Sequence, residues 1–407
     1  PRKNGETIGA WLEGVNYHRI YSFLVTSRWD ERALESIRIR QQVQQTRRLP
    51  ADERGPGLLI IDDTGLPKQG RHSVGVARQY SGTLGKVGNC QVVVSACYAD
   101  DQSHWPVTNR LYLPRQWADN PTRRESARIP AEVGFQTKPQ IALDMVDDSL
   151  EKNVPFDAVT ADAGYGGNPG FLAGLEARGL PCVVAVPSTF GVRLSDKTVQ
   201  PAYTGRGRPP KALPMASVET AQAVLDRLPE KEWQTLTFGE GSRGLQTRRA
   251  AAVRIYRAHG NTTGPIGWLI GERSMPGREQ EEKYFFSTFP EETPIADLIR
   301  WGHRRWVIER FFQDAKELCG MDEYQGRYWQ GLHRHLVVVN LAYTWLLHLR
   351  AQEKILDEGP SLNGKGLASF PGSSLRSAWR WWLQRVQRMV ILVLTCSSDF
   401  LRQLFAT

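Results

Sequence analysis

Long hydrophobic runs are missing from this sequence. Its longest apolar stretch is Met389 to Leu394, whereas a helix that crosses a bilayer needs roughly 20 apolar residues. A membrane partner is therefore not expected. Cysteine is scarce: Cys90, Cys97, Cys182, Cys319 and Cys396 are five in number and widely spaced. An odd, scattered set without a C-x-x-C pair argues against a disulfide scaffold and against a cysteine zinc site. It suits a reducing cytoplasm, with the thiols as small core residues. No secretory leader opens the chain, and the start at Pro1 in place of Met reads as a fragment whose first residues lie upstream. No internal repeat is visible.

What remains is ordinary globular composition with a basic bias. Of 407 residues, 41% are hydrophobic and 23% charged, which predicts two or three packed units. Lysine and arginine number 52 against 43 acidic residues, an excess that suits a polyanionic partner without proving one.

Periodicity divides the chain. Residues 1–54 read as a helical region, with Trp11, Leu12, Val15, Ile20, Phe23 and Leu24 at helical spacing and a second helix opening near Asp30. Residues 55–190 alternate short buried strands with helices. Leu58 to Ile61 reads as a strand halted by the turn signal Asp62-Asp63-Thr64-Gly65. Cys90 to Cys97 and Arg110 to Leu113 follow as strands and Lys138 to Leu150 as a helix. Then come the strand Ala158 to Ala161, the helix Phe171 to Arg178 and the strand Cys182 to Val186. Such alternation indicates an α/β core. Residues 191–290 turn glycine- and proline-rich with strand-like runs, which predicts a β-rich insertion. Residues 291–350 carry a long helical pattern from Ile295 to Leu318 and an apolar helix from His333 to Leu349. Residues 351–407 read as a helical tail.

Three carboxylates stand out by position. Asp62 and Asp162 end predicted strands, where α/β sheets build their sites, and Glu309 lies on a predicted helix. Two aspartates and one glutamate can hold two Mg²⁺ ions roughly 3.5–4 Å apart. Asp63 competes with Asp62, although neighbouring strand residues face opposite sides. The same aspartates fit a bland role as turn formers or helix caps. Arg305 and Glu309 are spaced i, i+4, and Lys316 follows two helical turns later. That stripe suits a metal ligand beside phosphate-binding cations, and equally a surface ladder of ion pairs.

At these residues the sequence resembles the DDE transposases of bacterial insertion sequences, within the IS4-like group and most closely the IS701 family. Six segments carry the resemblance: LLIIDDTG at 58–65, SVGVARQYSGTLGKVGNCQV at 73–92, LYLPRQWADNP at 111–121, TKPQIAL at 137–143, VTADAGYG at 159–166 and RWVIERFFQDAKELCGMDEYQGR at 305–327. The resemblance implies an RNase H-like catalytic core, interrupted between Asp162 and Glu309 by the β-rich insertion. It implies Asp62, Asp162 and Glu309 as catalytic metal ligands. The function it implies is Mg²⁺-dependent cut-and-paste transposition of double-stranded DNA, with Mn²⁺ able to substitute, a homodimer on DNA and a nucleoid-associated cytoplasmic location in a bacterium. The family's helix signature is Tyr, two residues, Arg, three residues, Glu, six residues, Lys. Arg305, Glu309 and Lys316 satisfy it, whereas the tyrosine position is Gly302. A domesticated repressor that binds DNA without cutting it is the alternative on the same scaffold.

Other segments suit DNA. Arg206 and Arg208 in Gly-Arg-Gly-Arg-Pro resemble a minor-groove hook, or serve as a basic linker. Arg78 and Lys86 flank a glycine-bearing loop suited to phosphates, or to a plain hairpin connection. Trp301, Trp306, Tyr324 and Trp329 offer stacking surfaces near Glu309, although core packing suits each one better. His333 and His335 near Cys319 match no usual zinc spacing.

Overall fold

The computed structural model describes residues 17–82, 85–199, 213–214, 216–241, 244–259, 262–277 and 281–358. The expected arginine hook at 206 and 208 and the helical tail beyond residue 358 lie outside these residues, as do the first turns of the N-terminal region. The fold is mixed α/β, as expected for an RNase H-like core. Among the described residues no helix is long and apolar enough to cross a membrane. The chain forms two compact units: residues 1–55, 62–155 and 307–407 make the first, and residues 56–61 and 156–306 the second.

The first unit opens with helices α1 (Tyr17–Val25), α2 (Glu31–Thr46) and α3 (Ala51–Arg54). Asp30 caps α2 by accepting from the amides of Arg32 and Ala33, which satisfies donors that the first helical turn cannot. Leu34, Ile39 and Val43 form its buried face. Buried Arg38 donates to the carbonyls of Pro106 and Val107 at 2.6 and 2.5 Å, which ties α2 to the sheet. That sheet contains β1 (Leu58–Pro67), which runs through both units. It also contains β2 (Ala77–Ser81), β3 (Lys86–Ala99) and β4 (His104–Tyr112), ordered β2-β3-β1, with β4 also paired to β3. After β4 come two short helices, α4 (Arg115–Ala118) and α5 (Pro121–Ser126), then α6 (Lys138–Glu151). A capping box between Thr137 and Gln140 starts α6. Its Ile141, Ala142, Met145 and Val146 are buried, and it packs on β3 and β4.

In the second unit, Leu58 to Ile61 of β1 pair in parallel with β5 (Ala158–Ala161). Their burial on both faces explains the unbroken apolar run: all four β1 side chains are at most 1% exposed, each worth about 1.5–3 kcal/mol of hydrophobic transfer. Helices α7 (Ala163–Gly166) and α8 (Pro169–Ala177) follow. Next come β6 (Val183–Val186), β7 (Gly191–Arg193), β8 (Thr198–Val199), β9 (Leu213–Pro214), β10 (Glu219–Thr220) and α9 (Ala221–Asp226). The strands β11 (Gln234–Gly241), β12 (Gly244–His259), β13 (Thr262–Arg273) and β14 (Glu282–Ser287) and helix α10 (Ile295–His303) complete the unit. Seven strands form one sheet in the order β10-β7-β12-β13-β14-β6, with β11 on β12. The β-rich region therefore recruits β6, which pairs antiparallel with β14. Cys182, just before β6, still bridges to Val159 in parallel. Returning to the first unit, α11 (Trp306–Cys319) and α12 (Trp329–Glu358) close the described chain.

Two local expectations are corrected. The strand at Leu58 does not stop at Asp62: Asp62 to Pro67 stay extended, because pairing in the sheet overrides a local turn preference. The long helix from Ile295 to Leu318 is in fact α10 and α11, interrupted at Arg304 and Arg305. The amide of Arg304 bonds to carbonyls four and three residues back, and that of Arg305 to Gly302 at 3.4 Å. The last turn of α10 thus tightens and ends there.

Candidate active site

The parallel register of β1 and β5 sets Ile61 opposite Ala161. Each of those residues is followed at once by an aspartate, Asp62 and Asp162. Asp62 is 9% exposed, and its Oδ1 accepts from the Asp63 amide at 2.7 Å. The Asp63 side chain is engaged differently: Lys138, at the start of α6, donates to its two oxygens at 2.9 and 3.0 Å. Alternation along the strand explains the split.

Asp162 is half-buried and caps α7, its Oδ1 accepting from Gly164 and Tyr165 at 3.0 and 3.2 Å. The capping role expected of a turn-forming aspartate is thus present. The turn it caps is tightly placed: a Cβ on Gly166 would lie 2.0 Å from the Ala185 carbonyl, so only glycine lets α7 rest on β6.

Glu309 is exposed on the first turn of α11. Seven residues on, Lys316 turns inward and donates to Thr64 Oγ1 at 2.6 Å and to the Gly65 carbonyl at 3.2 Å. Burial lowers its pKa. A second lysine works in the opposite direction. Lys68, just past β1, donates to the carbonyls of Asp322 and Tyr324 at 2.9 and 2.7 Å, and burial lowers its pKa to about 8. The two ties join β1, two residues beyond Asp62, to the helix of Glu309 and the loop that follows it. Spacing suggested the lysine at 316; nothing in the pattern singled out Lys68.

Gly302 explains the departure from the helix signature. It is buried in α10, and a Cβ there would already meet the Phe285 ring at 3.0 Å and Val183 at 3.4 Å. Phe285 occupies the space a larger side chain would need.

Among the basic and aromatic residues, Arg78 and Lys86 are exposed on paired strands of one hairpin. Arg305 is half-buried, at the turn between α10 and α11. Trp301 and Tyr324 are buried and Trp306 is 59% exposed, while Trp329 lies 4.2 Å from the His333 ring. His333 and His335 hydrogen-bond the carbonyls of Trp329 and Gly320. Burial lowers the pKa of both imidazoles, that of His335 to about 4.

Asp62, Asp162 and Glu309 each offer carboxylate oxygens and no thiolate, a donor type that suits a hard cation. Among the described residues no three histidine, cysteine, aspartate or glutamate side chains are grouped so that they could hold a metal ion. Magnesium needs few protein ligands, since it retains water and takes phosphate oxygens.

Comparison with known proteins places the chain in a family. The sequence pattern of the DDE superfamily endonucleases matches residues 1–245, which include both aspartates. The chain is also 30% identical over 180 residues to a protein of Microchaete diplosiphon described as a probable transposase for insertion sequence element IS701. That match spans 44% of this chain and 43% of the relative, less than half of either. Endonucleases of this superfamily generally use divalent metal ions. By the extent of the match and the motifs it contains, the chain belongs to the DDE superfamily of endonucleases.

Proposed function

We propose that this chain is a transposase that cleaves double-stranded DNA at transposon ends and joins the freed strands to target DNA. In this reading Asp62, Asp162 and Glu309 are ligands of two Mg²⁺ ions, and Mn²⁺ substitutes for them. The observation that carries it is the β1–β5 register, in which aspartates directly follow the opposed residues Ile61 and Ala161. When bound, the ions supply Lewis acidity to the attacking and leaving oxygens.

The chain's own groups supply placement. The Gly164 and Tyr165 amides orient the Asp162 carboxylate. Lys138 holds Asp63, which leaves the other face of β1 to Asp62. Lys316 and Lys68 fix the glutamate helix against β1. Such fixing matters because small positional errors at a reacting phosphate are costly in rate. Arg78, Lys86 and Arg305, with Arg206 and Arg208, bring the DNA phosphates in, and a homodimer on DNA would treat two transposon ends together.

Incubating the protein with a labelled transposon end and Mg²⁺, with products resolved on a denaturing gel, tests the reading. Nicked and joined products are expected. Binding without any cleavage in Mg²⁺ or Mn²⁺ would instead leave the non-cutting repressor.

A further inference from the structure

The stretch between β4 and α6 contains a feature that the proposed chemistry does not use. Three arginines within it each lie on an aromatic face. The Arg115 guanidinium sits 4.0 Å from the Phe135 ring centroid, Arg123 5.0 Å from Trp117, and Arg128 4.3 Å from Tyr328. Among the described residues none of the three pairs with a carboxylate or donates a side-chain hydrogen bond. A fourth arginine in the same stretch, Arg124, is spent differently, donating to the carbonyls of Val133 and Pro130 at 2.7 and 2.8 Å.

The support beneath these cations is rigid. Trp117 is 1% exposed, and its indole donates to the Val76 carbonyl at 2.8 Å. Arg128 keeps a left-handed backbone, φ 54°, a conformation that costs a non-glycine residue energy. Beside it, the Trp329 amide donates to the Ala127 carbonyl at 2.9 Å. Arg115 and Arg123 line one open hollow of about 460 Å³ together with Gln116, Asp119 and Asn120. A guanidinium stacked on a ring keeps its N–H edge clear and loses little further freedom when it grips a phosphate. Asp119 disfavours a free anion there, while the flanking amides suit sugar and phosphate oxygens of a continuous backbone.

We infer that Arg115 and Arg123, with Arg128 from the same stretch, form a binding platform for the phosphate backbone of double-stranded DNA. This rests on the proposal that the chain acts on DNA, and adds a contact surface separate from Asp62, Asp162 and Glu309. Its test is the salt dependence of binding to a DNA duplex, measured for the full chain by fluorescence anisotropy. Each phosphate contact contributes about −0.9 to the slope of log K against log salt. Arg115→Gln with Arg123→Gln should therefore reduce the slope by about 1.8 and weaken binding on the order of 50-fold at roughly 0.1 M salt, with the difference vanishing near 1 M. The Lys pair, R115K with R123K, should keep most of the slope. An unaltered melting temperature shows that the variants fold. Wild-type protein that binds no duplex would sink the reading of the chain as a DNA enzyme, and this inference with it. A wild type that binds, beside a folded Gln pair of equal affinity and slope, would overturn the platform alone.

Discussion

Asp62 and Asp63 are adjacent acids with different surroundings, and the difference makes a prediction. Asp63 is held by Lys138 in a part-exposed ion pair, worth at most about 1 kcal/mol. Asp63→Asn should therefore cost little stability and leave single-turnover cleavage within a few-fold of wild type. Asp62→Asn should abolish cleavage while the urea midpoint holds. Equal loss of cleavage in both would mean that the strand presents both carboxylates to the chemistry. Lys316 poses a second question at this scale, since its spacing suited DNA phosphate as well as a surface ion-pair ladder, while its ammonium bonds Thr64 and Gly65. Lys316→Met should lower stability without DNA by about 1–3 kcal/mol, through two lost charged hydrogen bonds. The salt slope of DNA binding should stay the same. A slope reduced by about 1 with unchanged stability would return this lysine to the DNA.

At the scale of elements, several strands and helices between residues 17 and 190 were legible because burial on both faces writes an apolar run and one-sided burial writes a helical stripe. LLII, AVTA and the stripe of Ile141, Met145 and Val146 are of this kind. What stayed hidden depended on distant partners. The turn-like Asp-Asp-Thr-Gly remains strand because the sheet continues past it. Nothing local in Arg304 and Arg305, both good helix formers, announces the break between α10 and α11. The recruitment of β6 by β14 joins segments about a hundred residues apart. The site was legible as residue types at motif positions, whereas the ties by Lys68 and Lys138 come only from the folded contacts. Helix α12 adds a pH prediction. His335 packs on Tyr324, ring centroids 5.3 Å apart. Burial first, and Lys68 second, lower its pKa from 6.5 to about 4. The unfolded chain takes up this proton near 6.5 and the folded chain only near 4. Stability from His335 is thus fully present above 6.5 and lost as pH falls toward 4, by at most ~3 kcal/mol. Urea midpoints of wild type and His335→Asn, compared at pH 7 and 4.5, should show the smaller acid loss in the variant. Parallel losses would show that the imidazole titrates normally.

For the whole molecule, the family match ends at residue 245, so Glu309 lies beyond it. The glutamate rests on the helix signature and on its place in the same unit as Asp62. The basic surface is spread along the chain, from the Arg78 and Lys86 hairpin to the stacked arginines at 115, 123 and 128, as expected of an enzyme that holds a long polyanion. The central claim is that Asp62, Asp162 and Glu309 ligate the metal ions. Its most direct measurement is single-turnover cleavage of a transposon end by Asp62→Cys, Asp162→Cys and Glu309→Cys, each in Mg²⁺ and in Mn²⁺. A thiolate is a poor ligand for hard Mg²⁺ and a better one for softer Mn²⁺. Each variant should therefore be inactive in Mg²⁺ and regain cleavage in Mn²⁺, with DNA affinity unchanged. Full cleavage in Mg²⁺ by any one of them would contradict the account by removing that residue from the metal site.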